Sequence, residues 1–548
     1  MSTLGRRALL GAALAVPSVA QAQAPRLPPP TPAAPAQSGG SAGAPPGTAA
    51  IPLDDRVAQG WRRDVLIRWG DRVLPGAPAW NPNQPDAAAA AGQFGWDATI
   101  VALVEPPPTA DAVRRAILAV AHPTLDPAMA LPAGLSGSGH PSYDLAGAMQ
   151  GASIVNLEFQ GAGRAARWVV VDGGFQSRRI TTGTLCRISG PLVGDAALRS
   201  AGEPTAESVR GLIAPQGGCA TPWGTVLFAE GDAASRAPWA AARLADAGVA
   251  NRFGWIVEVD PRDPITLPVK RTAPGRRAHG DVVATRNADG RAVLYITEGL
   301  PGGFLYRFVS AAPIATGEDA DNAGLLDDGA LFVARRAGDR GTWVRLPDTS
   351  AARLDPRAAA QQVGATPLDH PSGLAIGADN RLFVALRGDP MGGPDRAGGR
   401  IIELSSGGNG ADSFGFGTLL AVPATLRLPG SDMVFAAPDT LALDGQSRLW
   451  VGTAQGALQA QSGGADGLFV VPIDGNGRGV PRRIYGAPRG AAIGGAAFPA
   501  SPGEATVLAA VRRPGFERGA TFAAPITRWP AFDPALPPRS TLIGLAGG

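Results

Sequence analysis

Two segments of this chain overlay without a gap: PSGLAIGADNRLFVAL from Pro371 and PDTLALDGQSRLWVGT from Pro438. Each carries Pro, two variable residues, Leu-Ala, a polar turn, then Arg-Leu-aromatic-Val. A recurring strand–turn–strand unit is the mark of propeller blades, small sheets that bury their faces only against neighbours of the same kind. Related apolar strands are read at 254–260 (GWIVEVD), 292–299, 329–336, 399–405, 467–474 and 506–513. Helical periodicity is scarce; 111–121, DAVRRAILAVA, is the best helix candidate. The 75 Gly and 52 Pro, with only 17% charged residues, suit short strands joined by many turns. The expected fold is all-β, a single β-propeller with long inserted loops.

The first 24 residues, MSTLGRRALLGAALAVPSVAQAQA, combine the Arg6-Arg7 pair, a short apolar stretch and alternating small residues. That pattern is a removable export signal of the twin-arginine type, too short to anchor the chain in a bilayer. Residues 25–50 form a Pro/Ala-rich linker that cannot pack a core, so the folded body is expected over 51–548, in the periplasm or secreted. The formal charge of +3 and the lack of any Lys/Arg run argue against nucleic-acid or membrane-surface partners. A monomer with no integral membrane segment after signal removal is expected. The two cysteines, Cys186 and Cys219, are either a disulfide, which an oxidising compartment permits, or two buried thiols.

In a propeller the start of each inner strand faces the central channel, so the residue after each repeated proline is a candidate ligand position. Asp439 stands there in one unit and Ser372 in the other. Asp can bind a cation directly, whereas Ser offers only a weak neutral oxygen. An acid in a turn also commonly accepts backbone hydrogen bonds, so both roles stay open for Asp439.

The chain resembles the PhoX-type alkaline phosphatases, exported calcium- and iron-dependent phosphomonoesterases built on a β-propeller. The likeness is carried by RRDVLIRWGDRVLPGAPAWNP, QFGWDATIVALV, SRRITTGTLCRISGP, TPWGT, GWIVEVDPRDPITLPVKRTAPGRRAH, LYRFVS, VGATPLDHPSGL and GRIIEL, in the family's order from roughly residue 60 to 545. The resemblance implies six blades, and a site where carboxylates and one cysteine hold hard cations that polarise a phosphoryl group.

This chain departs from that pattern repeatedly. The family's Asn-His-Glu-Tyr falls on Ala121, His122, Pro123 and Thr124, and its iron-binding cysteine on Gln216, three residues before Cys219. Its Cys-Glu-Glu-Asn falls on Ala229, Glu230, Gly231 and Asp232, its His-Glu on His279 and Gly280, and its paired aspartates on Glu298 and Gly299. Its Pro-Glu-Asp becomes Pro371-Ser372-Gly373, and its final acid becomes Ala497, before the retained Phe498. By this reading Glu230, Glu298 and Asp439 are the residual metal candidates, and Arg271 and His279 are candidates for binding the substrate. Calcium is the cation such a reduced site would take; iron is not expected.

Lys270, Arg271, Arg276 and Arg277 either line a channel mouth or lie on solvent-facing strand edges, the commoner case. His122, His140 and His370 each precede a proline, as hydrogen-bonding turn residues often do. Three functions compete: a weakly active or non-catalytic phosphatase-like propeller binding a small phosphorylated or other anionic molecule, a calcium ion or a protein; a phosphomonoesterase or phosphodiesterase with a reduced calcium site; and a lactonase-like propeller hydrolase.

Overall fold

The strand Val226–Glu230 shows how the chain builds its core. Side chains alternate across a strand, and here both faces are apolar: Val226 and Phe228 join one cluster of buried side chains, Leu227 and Ala229 another. A sheet apolar on both faces must be covered on both, which is what neighbouring blades provide.

A computed structural model describes residues 51–136, 142–317, 320–388, 398–406, 411–422, 426–427, 434–456, 459–499 and 505–547. The leader, the linker and His140 lie outside the described residues.

Six blades follow one another around the ring, with inner strands Thr99–Val104, Pro215–Ala220, His279–Arg286, Pro371–Ile376, Pro438–Leu443 and Ala492–Ala497. Each runs antiparallel to the next strand outward in its blade. Six buried clusters fill the six blade-to-blade interfaces. The ring is closed by the start of the folded body: Trp61–Arg68 is the outermost strand of blade six, against Thr541–Gly547, and Arg56–Val57 adds to blade five against Arg482–Gly486. A further cluster around Trp69, Trp239 and Trp255 packs the inserted loops.

The repeated segments at Pro371 and Pro438 are the inner hairpins of blades four and five, and their likeness extends to the backbone. The residue before each proline, His370 and Ala437, has positive φ (56° and 50°), as do Asn380 and Ser447 at the turn (63° and 56°). The helix expected within 111–121 is instead a strand, Arg115–His122. Ile117 and Ala119 face one blade interface, Leu118 and Val120 another, so this apolar run reflects burial on two faces rather than a helical stripe.

Candidate functional site

All six inner strands break register with their neighbours near the channel, an irregularity of the β-bulge kind. A bulge leaves a residue unpaired and re-aims its side chain. The residues at these breaks, including Val101, Gln216, Asp281, Ser372 and Asp439, line one central cavity of about 290 Å³. The position after each repeated proline therefore does face the channel.

The mouth of that cavity is set by the ends of the second strands and the loops beyond them. Arg387 follows Leu382–Leu386 and Arg512 ends Ala505–Arg512, while Arg236 closes the short helix Ala233–Arg236 that follows Val226–Glu230. Arg512 holds Asp97 through two bonds, Nε to Oδ1 at 3.0 Å and Nη2 to Oδ2 at 2.8 Å, and its Nη1 lies 3.5 Å from Asp439 Oδ2. Thr124 donates to the same Asp97 at 2.7 Å. Although burial alone would raise its pKa, these partners and Arg513 hold the Asp97 carboxyl well below the usual carboxylate range. Arg387 Nε sits 2.8 Å from Asp439 Oδ1, close enough for an ion pair but not aligned for a hydrogen bond.

Arg236 differs from these. Its guanidinium has no hydrogen-bond or ion-pair partner among the described residues, yet it lines the cavity. Burial, helped by Arg387 and Arg512, lowers its pKa to about 9, which leaves it charged at neutral pH. His370 is pushed down to about 4, by burial and then by Arg387, so it is neutral there. Asp281 is pushed up to about 7 by burial, opposed by the backbone amides it accepts from, Leu374 at 2.9 Å and Val282 at 2.8 Å. Three guanidinium groups thus line this mouth, with Asp97 and Asp439 as the neighbouring carboxylates and Asp281 only partly ionised at neutral pH.

The three residual acids expected to bind metal are not brought together. Glu230 is fully buried under the channel wall: Oε1 accepts from Lys270 Nζ at 2.7 Å and Ile213 N at 3.1 Å, Oε2 from Gly254 N at 3.0 Å and Trp255 N at 3.2 Å. Both oxygens are engaged within the protein. Glu298 pairs with Arg357 at 2.9 Å and accepts from Phe304 N at 3.2 Å. Of the three, Asp439 alone lines the cavity. Among the described residues no group of three or more His, Cys, Asp or Glu is placed to hold a metal ion.

The substrate-binding candidates are likewise placed elsewhere. Arg271 is buried against Glu258 (Nε, 2.7 Å), Asp327 (Nη1, 2.7 Å), Ser189 (3.0 Å) and Ala323 O (2.7 Å). His279 is buried with Nδ1 2.8 Å from Glu230 O, and burial lowers its pKa well below the ordinary value. Lys270, Arg271 and Arg277 do not lie on solvent-facing edges: all three are buried, and Arg276 donates to Phe253 O at 2.9 Å. His122 is buried beside Phe94 with its Nε2 2.7 Å from Ser153 Oγ. Cys186 and Cys219 are both free thiols, the first buried with its pKa raised to about 11, the second lining the cavity. Ala497, read from the family pattern as the place of an acid, packs among Leu118, Val155 and Leu508, where a carboxylate would be buried in an apolar core.

The wall is tightly packed around three glycines, Gly231, Gly280 and Gly299. A Cβ at Gly280 would lie 2.8 Å from Thr297 Oγ1 and 3.0 Å from Pro371 O. One at Gly299 would lie 2.9 Å from Gly280 Cα, and one at Gly231 would lie 2.5 Å from Cγ of Gln216. Gln216 and Gly231 are thus sterically matched. Arg236, Arg387, Arg512 and Asp281 were not singled out in the sequence; the only signal is that Arg387 and Arg512 close second strands and Asp281 follows the His279-Gly280 pair.

A family model described as alkaline phosphatase PhoX matches residues 50–515. The structure of Pseudomonas fluorescens PhoX in complex with vanadate, a transition state analogue, is similar to this chain with a TM-score of 0.79 and 25% identity, over 91% of this chain and 97% of that one. A gluconolactonase of Xanthomonas campestris covers 87% of this chain and 99% of its own at 12% identity, but its TM-score of 0.30 carries no argument. No curated protein sequence matches.

Proposed function

The chain belongs to the PhoX alkaline phosphatase family, and from that premise we propose that it is a phosphatase-like propeller binding a small phosphoryl-type anion through guanidinium groups instead of a metal cluster, with catalysis weak or absent. The observation that carries this reading is Arg236, a charged side chain that lines the channel with Arg387 and Arg512 and has no hydrogen-bond or ion-pair partner among the described residues. Planar Arg donors match tetrahedral oxyanions well, and those of Arg236 are not engaged among the described residues.

The donor set does not fit the family's metal chemistry. A hard-cation cluster needs several unencumbered carboxylate oxygens, whereas Glu230, Glu298 and Asp97 are each committed to a Lys or Arg. Without clustered cations the departing alkoxide goes unstabilised, and turnover should fall by roughly a thousandfold or more. Export by the twin-arginine route belongs to the same reading and rests on the Arg6-Arg7 leader.

Calorimetry with inorganic phosphate in the presence of a chelator, beside elemental analysis and an aryl phosphate assay, tests this. Phosphate should bind without added metal, Arg236→Gln should weaken it at least tenfold, and hydrolysis should stay near the detection limit with added calcium. Stoichiometric iron, or brisk calcium-stimulated turnover, would instead favour a phosphatase with a reduced metal site.

A further inference from the structure

Asp439 sets a chemical condition on any anion that the mouth arginines hold. It is the second residue of Pro438–Leu443, whose register with Arg448–Thr453 slips between Pro438 and Thr440. The slip leaves Asp439 outside the ladder, and its side chain lines the cavity. Arg387 Nε lies 2.8 Å from Oδ1 without hydrogen-bond alignment, and Arg512 Nη1 lies 3.5 Å from Oδ2. The charge of Asp439 also acts on Arg236, Arg513, His370 and Asp281, so it sits among all the ionisable groups of the mouth.

That carboxylate has acceptor capacity to spare. Two ionised oxygens offer about four lone-pair sites, and among the described residues the long contact from Arg512 is the one hydrogen bond they receive. Asp281 differs, because each of its oxygens already accepts from a backbone amide, Leu374 N at 2.9 Å and Val282 N at 2.8 Å. An uncommitted anionic acceptor among guanidinium groups repels an oxyanion that has only lone pairs to present. Hydrogen phosphate avoids that repulsion: its P–OH donates to the carboxylate while its other oxygens accept from the arginines. Sulfate, with no proton to give, meets like charge at the same place.

Resting on the anion-binding reading above, we propose that Asp439 makes this site selective for an oxyanion that carries its own proton, hydrogen phosphate, over sulfate and over the proton-free dianion of a phosphate ester. A site built to hydrogen-bond a ligand hydroxyl rejects the analogue lacking it, because its own buried polar group is then left unpaired.

The test is calorimetry on the mature chain in chelator at about pH 8, where inorganic phosphate is mainly the hydrogen phosphate dianion and sulfate and methyl phosphate are dianions without a proton. Equal charge leaves the proton as the difference between phosphate and sulfate. Phosphate should bind roughly tenfold or more tightly than either of the other two. Asp439→Asn, whose amide donates to all three, should bring phosphate and sulfate to within about threefold of one another, whereas Asp281→Asn should keep the preference. The three anions on the unaltered protein decide the matter even if a variant fails to fold. A preference for phosphate below about tenfold, or one that survives Asp439→Asn, would overturn the role of Asp439 and leave the anion site standing. No binding by any of the three would remove the anion site itself.

Discussion

Asp281 makes the channel sensitive to pH. With its pKa raised to about 7 by burial, it is protonated below that value and becomes an anion above it. An oxyanion beside it is therefore held more weakly as pH rises through 7. Sulfate, whose charge is constant across this range, should lose affinity on the order of tenfold between pH 6 and 8. Asp281→Asn should remove this step, read by calorimetry; a step of unchanged size in that variant would assign it to another group.

At the scale of the element, the inner strands of blades three and four approach through glycine. Because a Cβ at Gly280 would meet Thr297 Oγ1 and the carbonyl of Pro371, Gly280→Ala should cost about 1–3 kcal/mol, measurable as a lower denaturation midpoint. Gly280→Glu should cost at least as much and restore no metal binding, since its carboxylate would enter a wall already filled by backbone. A stable Gly280→Glu variant that binds calcium stoichiometrically would show that the wall can reopen. The same elements show what the sequence reveals locally: the Pro371 and Pro438 hairpins were readable because turn chemistry and apolar pattern lie within one short segment. The bulges were not, because they arise from how an inner strand pairs with its neighbour and leave no residue signature.

For the whole molecule, stability rests on six apolar blade interfaces and on a ring closed by Trp61–Arg68 in blade six. Chelation should therefore leave the melting temperature and the strand-rich far-ultraviolet dichroism unchanged. A drop of several degrees on adding chelator would show that a bound ion helps hold the blades, since a ligand that binds only the folded state raises its stability.

The sequence by itself determined the strand-rich architecture, the blade repeat and the family, because strand patterning, turns and framework motifs are local or ordered along the chain. Tertiary structure decided what the surviving charges do. Glu230 meets Lys270 across two strands of one blade, and Asp97 meets Arg512 across the seam between blades one and six. Whether a carboxylate is free to bind a cation depends on which partner lies within hydrogen-bond reach, and that distance is fixed only when the ring closes. Arg236 too was placed by the fold, which brings it to a shared mouth with Arg387 and Arg512 and gives it no ion-pair partner among the described residues.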